Sequence, residues 1–335
     1  MPRDSEGREW TEATVDGRWL RPAPAAGPQE PRWGHPDGIQ LGLHPLTGPR
    51  GLLRLYTPYL GQPRDRLLNF IAVEPVPAGG TERGFSELER SRLDDVPGLR
   101  IWATDDPDDT RPQDPRQPSR GRVAVEDGVE TLTVELLVEP FENGADVRVQ
   151  VVFRADRPHE ISLAAFRQPG SAELEACILT ATMGNWARLR TLRLATEEVT
   201  ARELWPRYTD VHFAEHARFG VDRLARDGGA VTVSAIPDEL EPHLAEHAPG
   251  TKEHWYYVGV PAVQTWRADD PGPALVAQVN GRYTYWMSEA LIPGGIAFEN
   301  FEIVEPFRQG RVLTFSAEPL AQTQPHGQAH GADAG

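Results

Sequence analysis

Short β-prone runs broken by Gly, Pro and Asp dominate this chain, and that punctuation constrains the fold more than any other feature. Gly38 to Leu43, Leu52 to Tyr59, Leu67 to Val76 and Leu99 to Ala103 each read as a strand. The clearest hairpin joins Glu130 to Val138 with Asp146 to Phe153, where Val147-Arg148-Val149-Gln150-Val151 alternates after a turn containing Asn143-Gly144. Further strands are expected at Glu160 to Phe166, Glu173 to Thr182, Leu189 to Ala195, Ala230 to Ile236, His254 to Val260, Ala274 to Val279, Arg282 to Trp286, Ile296 to Glu305 and Arg311 to Phe315. Helical periodicity is confined to Phe85 to Leu93, Glu197 to Leu204 and Glu239 to His247. So many short strands need two layers to bury their apolar faces, and the expected fold is an all-β, antiparallel two-sheet β-sandwich with a few short helices.

Residues 1 to 33 and 319 to 335 are rich in Pro, Gly and polar residues, and read as a flexible N-terminal segment and a disordered C-terminal tail. Residues 34 to 318 then form a single domain, with the Pro-rich stretch Asp105 to Ser119 as a long surface loop. At 335 residues and 39% apolar content the chain can bury a large core. Asp and Glu number 50 against 34 Lys and Arg, for a net charge of −16. Such a field repels phosphate backbones and anionic lipid, so neither nucleic acid nor membrane is an expected partner. Lys252 is the sole lysine, a bias that codon usage explains without function. No run has signal-peptide character or the roughly 20 apolar residues of a membrane span, which makes the cytoplasm the expected compartment. Cys177 is the only cysteine and sits in an apolar run, as an inert buried thiol does.

Aromatic and polar residues cluster in the C-terminal half, as His254-Trp255-Tyr256-Tyr257 and Arg282-Tyr283-Thr284-Tyr285-Trp286. On a strand Tyr283 and Tyr285 share one face while Arg282, Thr284 and Trp286 share the other. Aromatic faces beside hydrogen-bonding groups suit sugar rings, although packing into a sandwich core uses the same residues. Downstream, Ile296-Ala297-Phe298-Glu299-Asn300-Phe301-Glu302-Ile303-Val304-Glu305 carries an apolar residue, Phe, an acid, Asn, Phe and a charged-apolar alternation. Over these few residues the chain resembles a closing strand of the concanavalin A-like lectin and glucanase sandwiches. That resemblance implies a jelly-roll or concanavalin-like fold and a sugar ligand. Glycosidases of that class place two or three acids on one strand face, and this sequence departs from the pattern. Glu299 and Glu302, three apart, point to opposite faces unless a bulge intervenes; Glu299 and Glu305 share a face roughly 20 Å apart.

Other polar groups offer chemistry of their own. His35, Asp37, Arg50, Tyr56, Tyr59, Asn69 and Glu74 lie among apolar strands, and Tyr, His and Arg are the types an eliminating lyase uses on a uronate. His212-Phe213-Ala214-Glu215-His216 and His243-Leu244-Ala245-Glu246-His247 both fit an inverted zinc-protease pattern, which on a helix would set two histidines on one face for Zn²⁺. Asp105, Asp106, Asp108 and Asp109 offer oxygens for Ca²⁺ without the spacing of a calcium loop. No P-loop, dinucleotide fingerprint or nucleophile elbow is present. These features point to a cofactor-independent, carbohydrate-active protein that cleaves a glycosidic bond in an oligosaccharide or glycoside by hydrolysis or β-elimination. The candidate catalytic residues are His212, Tyr283, Tyr285 and Glu302, and the candidate substrate contacts are Trp255, Tyr257, Arg282, Trp286, Tyr59 and Arg50. A non-catalytic carbohydrate-binding or protein-interaction sandwich is the alternative, and a zinc hydrolase the third reading; oligomeric state stays open.

Overall fold

The structure, a computed structural model, describes residues 14–23, 30–44, 50–80, 82–113, 118–182, 184–238, 257–285 and 289–320. Its strands in chain order are β1 (Thr14–Asp16), β2 (Trp19–Arg21), β3 (Arg32–Gly34), β4 (Gln40–Gly42), β5 (Leu52–Tyr56), β6 (Leu60–Gly61), β7 (Leu67–Pro77), β8 (Ile101–Thr104), β9 (Arg122–Glu126), β10 (Val129–Val138), β11 (Val147–Arg154) and β12 (Glu160–Arg167). They continue as β13 (Leu174–Thr182), β14 (Leu189–Arg193), β15 (Glu198–Thr200), β16 (Ala217–Gly220), β17 (Ala225–Asp227), β18 (Ala230–Pro237), β19 (Val258–Gly259), β20 (Ala262–Asp269), β21 (Val276–Arg282), β22 (Ala297–Val304) and β23 (Val312–Pro319). The chain is all-β with large antiparallel sheets and no closed barrel. One sheet runs β1-β2-β3-β4-β5-β7-β13-β22-β21-β16, and the other runs β15-β14-β18-β20-β23-β12-β11-β10-β8 with β17 and β9 attached at its flanks.

The layers form because alternation is kept on both sides of the interface. Leu53, Leu55, Ile71, Val73, Leu179, Ala181, Phe301 and Val279 from the first sheet meet Val134, Leu136, Val149, Val151, Leu163, Val233 and Phe315 from the second in one core. Trp266 of β20 lies in that core, its ring edge-on to Phe315 at 5.0 Å. Its Nε1–H donates across the layer to the backbone oxygen of Phe301 on β22 at 2.9 Å. Both sheets are sewn from early and late segments: β13 joins β22 in the first, and β12 joins β23 in the second.

Several elements differ from expectation. β1 and β2 lie inside the stretch expected to be flexible, because Trp19 is buried and donates from Nε1 to Glu130 at 2.8 Å. β20 is a central strand outside the expected set; its core face carries Gln264 and two alanines beside Trp266, which blunts the apolar signal. Ala274 to Val279 and the start of Arg282 to Trp286 are one strand, β21. Phe85 to Leu93 forms turns and not a helix, since Ser86 and Glu89 are spent on contacts with Val73, Phe85 and Glu142. The described helix is the four-residue Ala201–Leu204, capped by Thr200 and Glu203. The expected helix Glu239 to His247 and the start of the strand at His254 lie outside the described residues.

Trp266 gives the first test. Trp266→Phe keeps most of the ring but leaves the buried Phe301 carbonyl without its donor, and should cost about 1–3 kcal/mol. Trp266→Ala should cost about 3–5 kcal/mol in urea unfolding.

Candidate functional site

The face of the first sheet turned away from the core is polar at its centre. β13 presents Thr180 and Thr182 there, because Leu179 and Ala181, which alternate with them, point into the core. β21 presents Gln278 and Asn280 in the same way, with Ala277 and Val279 inward. β22 breaks the pattern once. Phe301 pairs with Val279 and Phe298 with Gly281, so two residues of β22, Glu299 and Asn300, stand opposite the single Asn280. This is a β-bulge. Phe298, Phe301 and Ile303 all keep to the core. Glu302 accepts from Thr180 and Glu299 accepts from Thr182 at 3.4 Å, so both glutamates share the outer face despite being three apart. The extra backbone N–H, that of Asn300, donates to Asn280 Oδ1 at 3.1 Å.

Glu302 is fully buried at the middle of this face. Arg83, from the segment after β7, donates to it at 2.8 Å and also lies 2.8 Å from Glu74 of β7. Gln278 donates to the same carboxylate, and His216 Nε2 stands 3.7 Å from it. His216 also lies 3.4 Å from Asn280 Nδ2. Burial works against the Arg83 cation, but Glu74 and Glu302 outweigh it and raise its pKa. Burial first, then the charge of Glu302, lifts Glu74 well above the usual carboxylate range. Burial lowers the pKa of His216 although Glu302 pulls the other way, which leaves a neutral imidazole. Glu87 is pushed up to about 7, mainly by burial.

Beyond this cluster, Arg282 donates to the Val211 carbonyl at 2.8 Å and its guanidinium lies 4.9 Å from the centre of the exposed Phe213 ring. Burial lowers its pKa and Glu299 opposes the shift. Asn185 is fully buried with neither side-chain atom hydrogen-bonded, one residue after Gly184, whose N–H donates to the Glu299 carbonyl at 3.2 Å. A buried amide without partners is an unmet demand for a ligand or water.

The expected site residues are thus divided. Glu302 and Arg282 lie on this face. His212 is 84% exposed, and its pentapeptide partner His216 is the histidine at Glu302. Residues 211–216 are not helical, so the zinc pattern loses the one-face geometry it needs. Tyr285 is buried with Ile292 and Ala297, and Tyr283 packs against the core. Tyr59 and Tyr257 spend their hydroxyls on the carbonyls of Ala317 and Leu68. Arg50 is held by Asp94 at 2.6 and 2.8 Å. Trp255, Trp286 and the second pentapeptide lie outside the described residues. Of the N-terminal polar group only Glu74 reaches the cluster; Tyr56 bonds Glu30, Asn69 bonds Gln264, and His35 sits against Trp19. Glu305 pairs with Arg308 and Arg311, away from Glu302. Cys177 is pushed up to about 12 by burial. Among the described residues no group of three or more His, Cys, Asp or Glu converges as metal ligands do, the Asp105–Asp109 run included. Arg83, Gln278, Thr180 and Asn280 were outside the expected set, since nothing local marks a loop arginine or a strand amide as a partner of Glu302.

No protein-family model matches the chain, and no curated protein does. A solved structure described as that of HI1317 aligns with 11% identity over 88% of this chain and 97% of that one, at a TM-score of 0.24, a likeness too weak to carry an argument.

Two tests follow from the geometry. Asn280→Ala leaves the bulge N–H of Asn300 unpaired and should cost about 1–3 kcal/mol in urea unfolding. Glu87 binds its proton more tightly folded than unfolded, so its contribution to stability is complete below about pH 4 and is lost as pH rises to about 7. Glu87→Gln should therefore reduce the fall in the urea midpoint across that window.

Proposed function

We propose that the chain is a carbohydrate-active enzyme that hydrolyses a glycosidic bond in a neutral substrate on the outer face of the ten-stranded sheet. The bulge in β22 carries the proposal, because it sets Glu299 and Glu302 on one face with neutral His216 beside Glu302. Thr180 and Thr182, which bond the two carboxylates, are about 7 Å apart along β13. A carboxyl separation near ~7 Å leaves room for a water between Glu299 and the Glu302–His216 pair. In this scheme His216, with Glu302 as counter-charge, takes the proton of the attacking water. Glu299 gives one to the departing oxygen, and Arg83 and Gln278 hold Glu302 in place.

The charge balance favours hydrolysis over β-elimination. Arg83 already lies between the carboxylates of Glu74 and Glu302, so a uronate carboxylate would meet a cation with partners in place. The net charge of −16 repels it further. One observation favours a binding-only face instead: Glu302 already accepts from Arg83, Thr180 and Gln278, as a static scaffold would.

A panel of neutral and uronate oligosaccharides, read by thermal shift and product mass, separates these readings. Turnover of a neutral substrate is expected, with Glu302→Gln and the half-buried His216→Gln each lowering kcat by about a hundredfold or more. The wild-type rate should fall as pH drops below 6.5 through the depressed pKa of His216, and His216→Gln should lack that limb. Ligand stabilisation without turnover would support the binding-only face, and a product one water lighter would support elimination.

A further inference from the structure

We infer a second site, for a small organic carboxylate with a flat apolar body, in the cleft between the β3–β5 part of the ten-stranded sheet and β8 at the edge of the other sheet. It is independent of the acid–base cluster and rests on a cavity of about 50 Å³ between β3, β4 and the start of β5 on one side and β8 on the other. By the rule of about 10–15 Å³ per water this space holds roughly four waters, the bulk of a benzoate.

The lining sets the chemistry. Arg50 and Arg100 face the cavity with Trp33, Trp102, Leu43 and Ile101, and no Asp or Glu is among the described lining residues. Arg50 gives its two Nη groups to Asp94 and Val96, but its Nε–H is buried without an acceptor. The indole N–H of Trp102 is likewise buried and unpartnered. Arg100 makes its hydrogen bond through the backbone, to Glu139, and its guanidinium has no carboxylate partner among the described residues. Two donors without acceptors and a guanidinium with no carboxylate partner among the described residues suit an acceptor-only group, and a carboxylate has two oxygens with about four acceptor positions. An inorganic oxyanion would meet the same donors but leave its charge against Leu43, Ile101 and Trp33. A carboxylate on a planar apolar body satisfies both halves of the lining.

Calorimetric titration of the full chain with benzoate, benzyl alcohol and inorganic phosphate tests this. Benzoate is expected to bind, with benzyl alcohol and phosphate at least about tenfold weaker. Arg100→Gln should weaken benzoate by about tenfold, and its fold is safeguarded because the backbone bond to Glu139 survives the substitution. Trp102→Phe should weaken benzoate while sparing the ring contact. Absence of benzoate binding at ~10 mM, equal affinity for benzyl alcohol or phosphate, or wild-type affinity in Arg100→Gln would each overturn the inference.

Discussion

A strand with one face in a dry core and the other carrying charge has little freedom, since a slip of one residue would put glutamates among leucines. β22 meets this constraint with one extra residue. Asn300 lets Phe298, Phe301 and Ile303 stay inward while Glu299 and Glu302 stay outward, and Asn280 satisfies the N–H that the insertion leaves over. Every polar contact at the centre of the face, from Thr180 and Thr182 on one neighbour to Gln278 and Asn280 on the other, is in register with that arrangement.

The outer face concentrates acid around a single deep cation. Two carboxyls so near each other cannot both ionise cheaply away from water. Arg83 eases the conflict by lying between Glu74 and Glu302, and what remains of it pushes Glu74 above the usual carboxylate range. His216 at the edge remains neutral for the same reason of burial. The cluster therefore pushes a carboxyl up and an imidazole down within a few ångströms, the kind of divergence that lets one side chain give a proton and another take it.

Fold class was legible because it rests on local alternation, which β10, β11 and β12 show plainly. β20 was hidden by the two alanines and Gln264 on its core face, where the stabilising partner, Asn69, lies nearly 200 residues away. Glu302 could be picked out as an acid in an apolar strand, but whether Glu299 joined it depended on a bulge, and a bulge is a property of the paired strand and not of either sequence alone. Arg83 and His216 reached the site through tertiary placement of irregular segments, which carries no periodic signal.

The sewing of early to late strands has a consequence for the chain as it is made. Ala164 of β12 pairs with Val312 of β23, and Ala181 of β13 with Phe301 of β22, so each sheet has an edge that stays open until β22 and β23 emerge. The hairpins from β10 to β12 can form at once, yet they must wait with apolar residues and unpaired backbone exposed. During synthesis this protein should thus depend on whatever shields a half-finished sheet, and its hazard lies in the interval before closure more than in the finished fold.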